Sequence, residues 1–296
     1  EMAVKSLKSG AFEFIQKPFD KDRLLNFIKR AVEHFNLKSE NKNLQTKLFH
    51  TFELIGASNN INSVKEQINK LAESESRVFI SGPTGTGKEL VARKIYKNSI
   101  RSKGPFTILN GALLEAKSYE KELLGEEKTD GSISYGALEK SSGGILLIDE
   151  ITEIPLETQS KILRILIDQK FKRINGNHDV HVDVRIFSST SKDINQEIKN
   201  GNFREDLFHR LAVILIEVPP LNDRKEDIDI LVKHFVNLLS SDQGLEIKTF
   251  DSKAIDTLKN YPWSGNIREL RNVIERLLIL GDDPITKENI IQFAQK

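Results

Sequence analysis

The chain of 296 residues has no cysteine, one methionine and one tryptophan, and its formal net charge is only +1. Without cysteine it has neither a disulfide framework nor a thiolate zinc site. The balance of 44 basic and 43 acidic residues excludes a chain-wide field that attracts nucleic acid. No run approaches the roughly 20 apolar residues of a membrane helix, and residues 1–5 lack a signal-peptide core. We therefore expect a soluble, cytoplasmic protein.

A glycine-rich loop, GPTGTGK, stands at residues 82–88. An apolar run at 77–81, typical of a buried strand, precedes it, and a helical stretch follows it. In this order, backbone N–H groups and the helix N-terminus face phosphate oxygens, and Lys88 reaches the β- and γ-phosphates of ATP. An ordinary glycine-rich turn is the alternative. The predicted ATP-binding residues here are Gly82, Pro83, Thr84, Gly85, Thr86, Gly87, Lys88 and Glu89, the last at the position where most P-loops have a Ser or Thr that binds magnesium.

Two acidic residues, Asp149 and Glu150, end the apolar run at 143–148. A continuous apolar run that ends in acids is typical of a buried parallel strand with a ligand at its carboxyl end. We expect Asp149 to hold magnesium, directly or through water, and Glu150 to polarise the attacking water as a general base. The alternative is an acidic first turn of a helix, where Asp and Glu are also common.

The order of the predicted elements indicates an α/β fold with a parallel sheet, followed by helices alone. Alternating strands and helices place ligands at the carboxyl ends of the strands. We predict an α/β core over residues 52–222 and a helical region over 223–296. The five predicted strands are 77–81, 105–110, 143–148, 182–190 and 213–218.

Two segments precede the core. Phe12, Phe14 and the following Lys17-Pro18 predict a short strand that enters a turn. Residues 1–20 resemble the C-terminal remnant of a response-regulator receiver domain, in which Lys17 would contact a phosphorylated aspartate; an arbitrary amphipathic start is the alternative. Residues 21–51 are predicted to form a linker helix with 3-4-3 apolar spacing, either a dimer seam or a helix that packs on its own chain.

The chain from about residue 52 to 296 resembles the central AAA+ domain of NtrC-type response regulators, which activate sigma-54 RNA polymerase. The resemblance rests on GPTGTGKELVARKIY, GGILLIDEI, GNFREDLFHRL, VPPLNDRKEDI and PWSGNIRELRNVIER. It implies an AAA+ P-loop ATPase with a C-terminal helical lid and the cofactors ATP and magnesium. It also implies assembly with itself as a dimer or ring, a cognate sensor kinase, and a DNA-binding domain beyond the chain end.

The resemblance also implies roles for matched residues. Arg204 and Arg210 stand where the family carries arginine fingers, which complete the ATP site of a neighbouring subunit. Six residues on one helix separate two side chains by about 240°, so both cannot share one face. We favour Arg204, because Asp206 precedes Arg210 by four residues, the spacing of an intrahelical ion pair.

Other matched residues surround the expected nucleotide. Arg268 matches sensor II, with a lid salt bridge to Glu269 as the alternative, and Thr190 and Ser191 match sensor I. The remaining implied roles are those of Asn110, as a switch partner of Glu150, and of Ile55 and Gly56, in the adenine pocket.

One departure from the family concerns the output. Family members that remodel sigma-54 carry a GAFTGA loop, but residues 122–135 read ELLGEEKTDGSISY. This loss resembles the NtrX branch and argues against sigma-54 contact, although RNA polymerase stays a possible partner. We interpret the chain as the ATP-binding central domain of a two-component transcription regulator, which binds Mg·ATP and hydrolyses it between subunits to control assembly and transcription. Alternatives are a scaffold with little hydrolysis, a sigma-54 activator despite the loop, and a general AAA+ remodelling enzyme.

Overall fold

The computed structural model describes residues 53–114 and 118–294, together with the helical residues Leu25, Lys29 and Val32. The predicted receiver remnant over 1–20 lies outside these residues, as does the predicted linker helix apart from the three named positions. The chain divides into two units, Glu1–Glu53 and Leu54–Lys296. The second unit holds all of the predicted ATP-site residues.

A parallel sheet of five strands forms the centre of the second unit. The prediction of an α/β fold with a parallel sheet is therefore confirmed. Strands buried on both faces are apolar throughout, which is why the sequence shows them as unbroken hydrophobic runs. Numbered along the chain, the strands in order across the sheet are β2 (Phe106–Asn110), β5 (Ile145–Asp149), β8 (Arg185–Thr190), β1 (Val78–Ser81) and β9 (Ile214–Glu217).

Helices cover both faces of this sheet. Alternate residues of a strand point to opposite faces, so Phe79 packs in one hydrophobic cluster while Val78 and Ile80 pack in another. Helices α1 (Asn59–Leu71) and α2 (Lys88–Asn98) contribute to the cluster around Val78 and Ile80. The cluster around Phe79 receives α3 (Tyr119–Leu124), α4 (Ala137–Lys140), α5 (Leu156–Asp168), α6 (Ile194–Lys199) and α7 (Glu205–Leu211).

Two short antiparallel hairpins project from the core, and neither is predicted from the sequence. The first pairs β3 (Gly125–Glu127) with β4 (Ile133–Tyr135), and the second pairs β6 (Lys170–Phe171) with β7 (Val180–His181). Strands of two or three residues are too short to produce a recognisable alternation of apolar and polar side chains.

The lid is a separate cluster of helices with its own apolar core around the buried Trp263. A 3-10 segment, Leu221–Asp227, leads from the sheet into it. No helix in the described ranges has the length and apolar character needed to cross a bilayer. The lid helices are α8 (Ile228–Gln243), α9 (Ser252–Asn260), α10 (Asn266–Leu280) and α11 (Lys287–Ala294).

Candidate active site

The glycine-rich loop lies at the carboxyl edge of the sheet, between the end of β1 at Ser81 and the start of α2 at Lys88. Gly85 has φ +79°, and a Cβ there would stand 2.1 Å from the carbonyl oxygen of Gly265 in the lid. Only glycine fits this position, because the backbone is left-handed and the lid backbone is in contact. The loop and the N-terminus of α2 thus form the geometry that binds phosphate.

Lys88 is buried inside this loop. Its ammonium donates to the carbonyl oxygen of Gly82 at 3.0 Å and lies 3.3 Å from Oε1 of Glu150. A buried charge is stable only when it is paired and hydrogen-bonded. The carbonyl and the carboxylate therefore serve as the partners of Lys88 in this conformation.

Glu150 is fixed at both ends of its carboxylate. Besides the contact with Lys88, its Oε2 accepts hydrogen bonds from the backbone N–H and the hydroxyl of Ser191, each at 2.8 Å. The backbone of Glu150 has φ +50°, a left-handed conformation that costs a non-glycine residue about 1–2 kcal/mol. Strained residues of this kind persist only where the surroundings determine them, and they cluster at functional sites.

Asn110 contacts Asp149, not the expected Glu150. Its Nδ2 donates to Oδ2 of Asp149 at 3.0 Å, and its own Oδ1 accepts from the N–H of Ala112. The register explains the difference, because Asn110 and Asp149 are directly paired across β2 and β5. Ser189, a residue without a role in the sequence analysis, donates its hydroxyl to Oδ1 of Asp149 at 2.5 Å.

The residues at this edge fit a magnesium ion bound together with nucleotide phosphates. Magnesium usually takes one or two protein carboxylates and completes its octahedron with water and phosphate oxygens. Asp149 is half-buried and supplies such oxygens. The carboxylate of Glu89 lies 2.6 Å from Nε of Arg93 on the outer side of α2, so its partner is this arginine.

The other expected contact residues are distributed around the loop. The backbone N–H of Arg268 donates to the carbonyl of Gly85 at 3.4 Å, and its side chain lines a cavity of about 320 Å³ with Thr84. Glu269 does not pair with Arg268, since it accepts from the N–H of Gly265 at 2.7 Å. Thr190 contacts Thr152 through the hydroxyls, 2.9 Å apart.

A buried polar junction between core and lid is not evident from the sequence. Asp227 accepts hydrogen bonds from the N–H groups of Ala57 and Ser58, at 2.7 and 2.8 Å, and from the Ser58 hydroxyl at 2.7 Å. Asp227 stands beside Gly56, where a Cβ would lie 2.6 Å from the Asp227 carboxylate. Ile55 packs on the apolar core of the lid. The stretch NDRKED after Pro219-Pro220 contained the signal, but a charged stretch usually indicates a solvated surface.

The two finger candidates lie in different surroundings. Arg204 precedes α7 as its N-cap residue, so the helical-wheel argument does not apply to it. It forms a bidentate pair with Asp206, at 3.0 and 2.6 Å. The expected pair of Asp206 with Arg210 is therefore wrong, since the adjacent Arg204 takes the carboxylate. Arg210 is exposed and lines a cavity that also contains Arg77.

Comparison with known proteins assigns the chain to a family. The sigma-54 interaction domain matches residues 54–217, and the AAA+ ATPase lid domain matches residues 222–294. The chain belongs to the NtrC-type AAA+ regulators, in their NtrX-like branch.

Individual relatives support the same assignment. The nitrogen assimilation regulatory protein NtrX of Azorhizobium caulinodans is 44% identical over 286 residues, which cover 96% of this chain and 63% of that protein. The crystal structure of NtrX from Brucella abortus with ADP has a TM-score of 0.83 and 42% identity, and covers 98% of this chain and 67% of its own. The ATP complex of that protein has a TM-score of 0.81 and 45% identity, with 96% and 65% covered. This NtrC-type chain thus spans less than two thirds of the length of the curated relative.

Proposed function

We propose that the chain is the ATP-binding central region of a two-component transcription regulator, and that it hydrolyses Mg·ATP at contacts between subunits. The observation that carries this proposal is the cluster of Lys88, Asp149, Glu150 and Ser191 at the carboxyl edge of the sheet. A P-loop lysine, an oxygen ligand for magnesium and a fixed carboxylate are the parts that phosphoryl transfer to water requires.

Each residue has a role in this proposal. On nucleotide binding, Lys88 exchanges the Gly82 carbonyl and Glu150 for the β- and γ-phosphates. Glu150 then accepts a proton from the attacking water while Ser191 keeps its carboxylate in place. Asp149 would hold the magnesium ion, whose charge offsets that of the phosphates. Arg268 of the lid would contact the γ-phosphate, and Ile55 and Gly56 the adenine.

The larger context of the chain is also a proposal. A neighbouring subunit would supply an arginine to each site, so dimers or rings would be the active form. A sensor kinase would regulate the assembly, and a DNA-binding domain outside the given chain would direct it to promoters. The relative from Azorhizobium caulinodans is described as a nitrogen assimilation regulatory protein, which supports a regulatory role for this chain.

The test is ATP turnover as a function of protein concentration, for the wild type and for Glu150→Gln. We expect specific activity to rise with concentration, because a site shared between subunits exists only in the assembly. Glu150→Gln should bind ATP as tightly as the wild type and hydrolyse it at least about 100-fold more slowly, the usual scale for a general base. Equal turnover by both proteins would remove Glu150 from the mechanism.

A second candidate function is a nucleotide-gated scaffold that hydrolyses little and does not engage sigma-54. The hairpin β3–β4 favours it, since this hairpin stands where sigma-54 activators carry their contact loop. Lys128 and Ser132 close a tight turn with a 2.9 Å backbone hydrogen bond, and Arg173 clamps Glu127 at 3.0 Å and Glu139 at 2.6 Å. The turn over residues 128–132 is polar, and the exposed apolar side chains of the hairpin, Ile133 and Tyr135, stand on β4 and not at its tip; Arg173 lies over the Tyr135 ring.

A pull-down with purified sigma-54 and a transition-state mimic of ATP tests the second candidate. We expect no complex in any nucleotide state. A complex that survives moderate salt would return the chain to the sigma-54 activators despite its hairpin. Absence of turnover by the wild type at every concentration, with ATP binding intact, would favour the scaffold.

A further inference from the structure

A cavity of about 830 Å³ lies at the edge of the sheet opposite to the glycine-rich loop. It is lined where strands begin, by Arg77 just before β1, Arg185 at the start of β8 and Val213 just before β9. The strands hold four to six residues at about 3.3 Å each, so this edge is roughly 13–20 Å from the edge that holds the loop. The cavity is therefore separate from the chain's own candidate ATP site.

The cavity has an excess of positive charge. Its charged lining consists of the four arginines Arg77, Arg101, Arg185 and Arg210 and two acids, Glu75 and Asp183. Both acids are already paired with Arg101, whose Nη2 lies 2.6 Å from Glu75 and 2.7 Å from Asp183. Within residues 53–114 and 118–294, no ion pair joins the other three arginines to a carboxylate.

Arg185 is the most constrained of these arginines. It is 2% exposed, its Nε donates to the carbonyl of Ser76 at 2.9 Å, and its Nη2 donates to the carbonyl of Leu71 at 3.3 Å. Its Nη1 is buried, and no atom of the described residues accepts a hydrogen bond from it. The guanidinium also lies 4.8 Å from the ring centre of Phe187, a cation–π contact, but Nη1 keeps an unmet hydrogen bond. An unsatisfied donor in a buried charged group is costly, so an acceptor that reached it would be favoured.

The protonation tendencies of the arginines agree with this charge balance. Burial lowers the pKa of Arg77, and the nearby charge of Arg210 lowers it further. Burial also lowers the pKa of Arg185, with a smaller opposing effect of Glu75 and a further lowering by Arg101. An anion in the cavity would oppose all of these effects by favouring the charged guanidinium groups.

We propose that this cavity is a second anion site, which binds a phosphate-bearing molecule through Arg77, Arg185 and Arg210. Guanidinium groups match phosphate oxygens with paired hydrogen bonds, and three of them around one space suit a group with two or more negative charges. The volume falls in the range of small-molecule sites. The apolar side chains of Ile165 and Ile186 also line the cavity, so an organic phosphate would find an apolar contact beside the arginines.

The phosphate could come from a free metabolite or from ATP bound to a second copy of the chain, and one set of variants separates these sources. Inorganic pyrophosphate is titrated by calorimetry into Lys88→Ala protein at concentrations where it is monomeric, so that the P-loop does not compete. We expect one site per chain. Arg77→Gln, added to Lys88→Ala, should raise the Kd for pyrophosphate at least about tenfold, because the substitution removes a charge-assisted contact. Arg164→Gln removes the same charge from the exposed side of α5 and should change the affinity less than twofold.

If the monomer binds no pyrophosphate, the other source of phosphate, ATP bound to a second copy of the chain, is tested with Lys88 intact. Loss of ATP-dependent self-association in Arg77→Gln, but not in Arg164→Gln, would assign the phosphate to the neighbour's nucleotide; this arm alone rests on the proposed function. Thermal unfolding without anion checks that each variant folds, and Arg77 is suitable because it is only partly buried. The proposal is overturned if pyrophosphate binds equally well with and without Arg77, or if no pyrophosphate binds and ATP-dependent self-association is also independent of Arg77.

Discussion

Ser191 donates both its backbone N–H and its hydroxyl to the same oxygen of Glu150, each at 2.8 Å. The other oxygen of Glu150 faces Lys88 at 3.3 Å. The residue expected to hold Glu150, Asn110, instead contacts Asp149. In this chain the general-base candidate is positioned from the residue that follows β8, while the magnesium-ligand candidate is positioned from β2 through Asn110 and from β8 through Ser189.

This arrangement predicts different effects of Ser191 and Asn110 on catalysis. Ser191→Ala loses the hydroxyl bond but keeps the backbone bond, so we expect kcat to fall about 10- to 150-fold, the equivalent of one hydrogen bond to a charged group at about 1.5–3 kcal/mol, with little change in KM. Asn110→Ala should instead raise the magnesium concentration needed for half-maximal turnover. Full activity of Ser191→Ala together with loss of kcat in Asn110→Ala would assign the switch to Asn110.

Lys88 should control nucleotide affinity. Replacement by Ala removes the charged partner of the β- and γ-phosphates, and we expect the Kd for ATP, measured by calorimetry, to rise about 100-fold, since a charge-assisted hydrogen bond contributes about 1.5–3 kcal/mol. Lys94→Ala, on the same helix, is the matched control and should leave the Kd within about twofold. Unchanged ATP affinity in Lys88→Ala would refute the P-loop assignment.

Arg204 should act on the site of a neighbouring subunit only if it can leave Asp206. Mixing Arg204→Ala with Glu150→Gln places an intact arginine against an intact carboxylate at some interfaces, so we expect partial recovery of ATPase activity. Asp206→Asn should not lower activity, because it frees Arg204 from its bidentate partner. No recovery in mixed assemblies, together with recovery when Arg210→Ala replaces Arg204→Ala, would give the role to Arg210.

Asp227 should stabilise the junction of core and lid. Asp227→Asn leaves one acceptor oxygen for three donors and removes the counter-charge from the buried Arg224, whose pKa is lowered by burial and raised by Asp227. We expect a loss of about 1–3 kcal/mol in the free energy of unfolding, measured with urea. Asp229→Asn, which breaks a solvent-exposed pair with Lys259, should lower the free energy of unfolding much less than Asp227→Asn. Equal costs for the two variants would contradict a structural role for Asp227.

The regular elements were predictable because their signals are local. The first strand, predicted over residues 77–81, is observed at Val78–Ser81, and the second, predicted over 105–110, is observed at Phe106–Asn110. The polar contacts were not predictable, because they depend on the register between strands distant in the chain. Asn110 and Asp149 are 39 residues apart, and only their alignment across the sheet decides which acid Asn110 contacts.

The ion pair predicted between Asp206 and Arg210 is a second polar contact that the sequence could not predict, here at the start of a helix. Spacing of four residues predicted a bond from Asp206 to Arg210, but the helix begins at Glu205 and places Arg204 in an extended turn beside Asp206. A shift of one residue in a helix start therefore changes which of two arginines is held. Helix starts are the least certain part of a sequence-based prediction.

The first turn of α10 is attached to the glycine-rich loop rather than merely near it. Asn266 donates to the carbonyl of Thr84 at 3.0 Å and accepts from the N–H of Leu221 at 2.8 Å, and Ile267 donates to the carbonyl of Gly85 at 3.0 Å. The helix of 15 residues that follows is about 22 Å long. A tilt of about 5° at the attached end would move the far end by about 2 Å. A small change in the phosphate-binding backbone would therefore be amplified into a larger displacement at the far end of the lid helix.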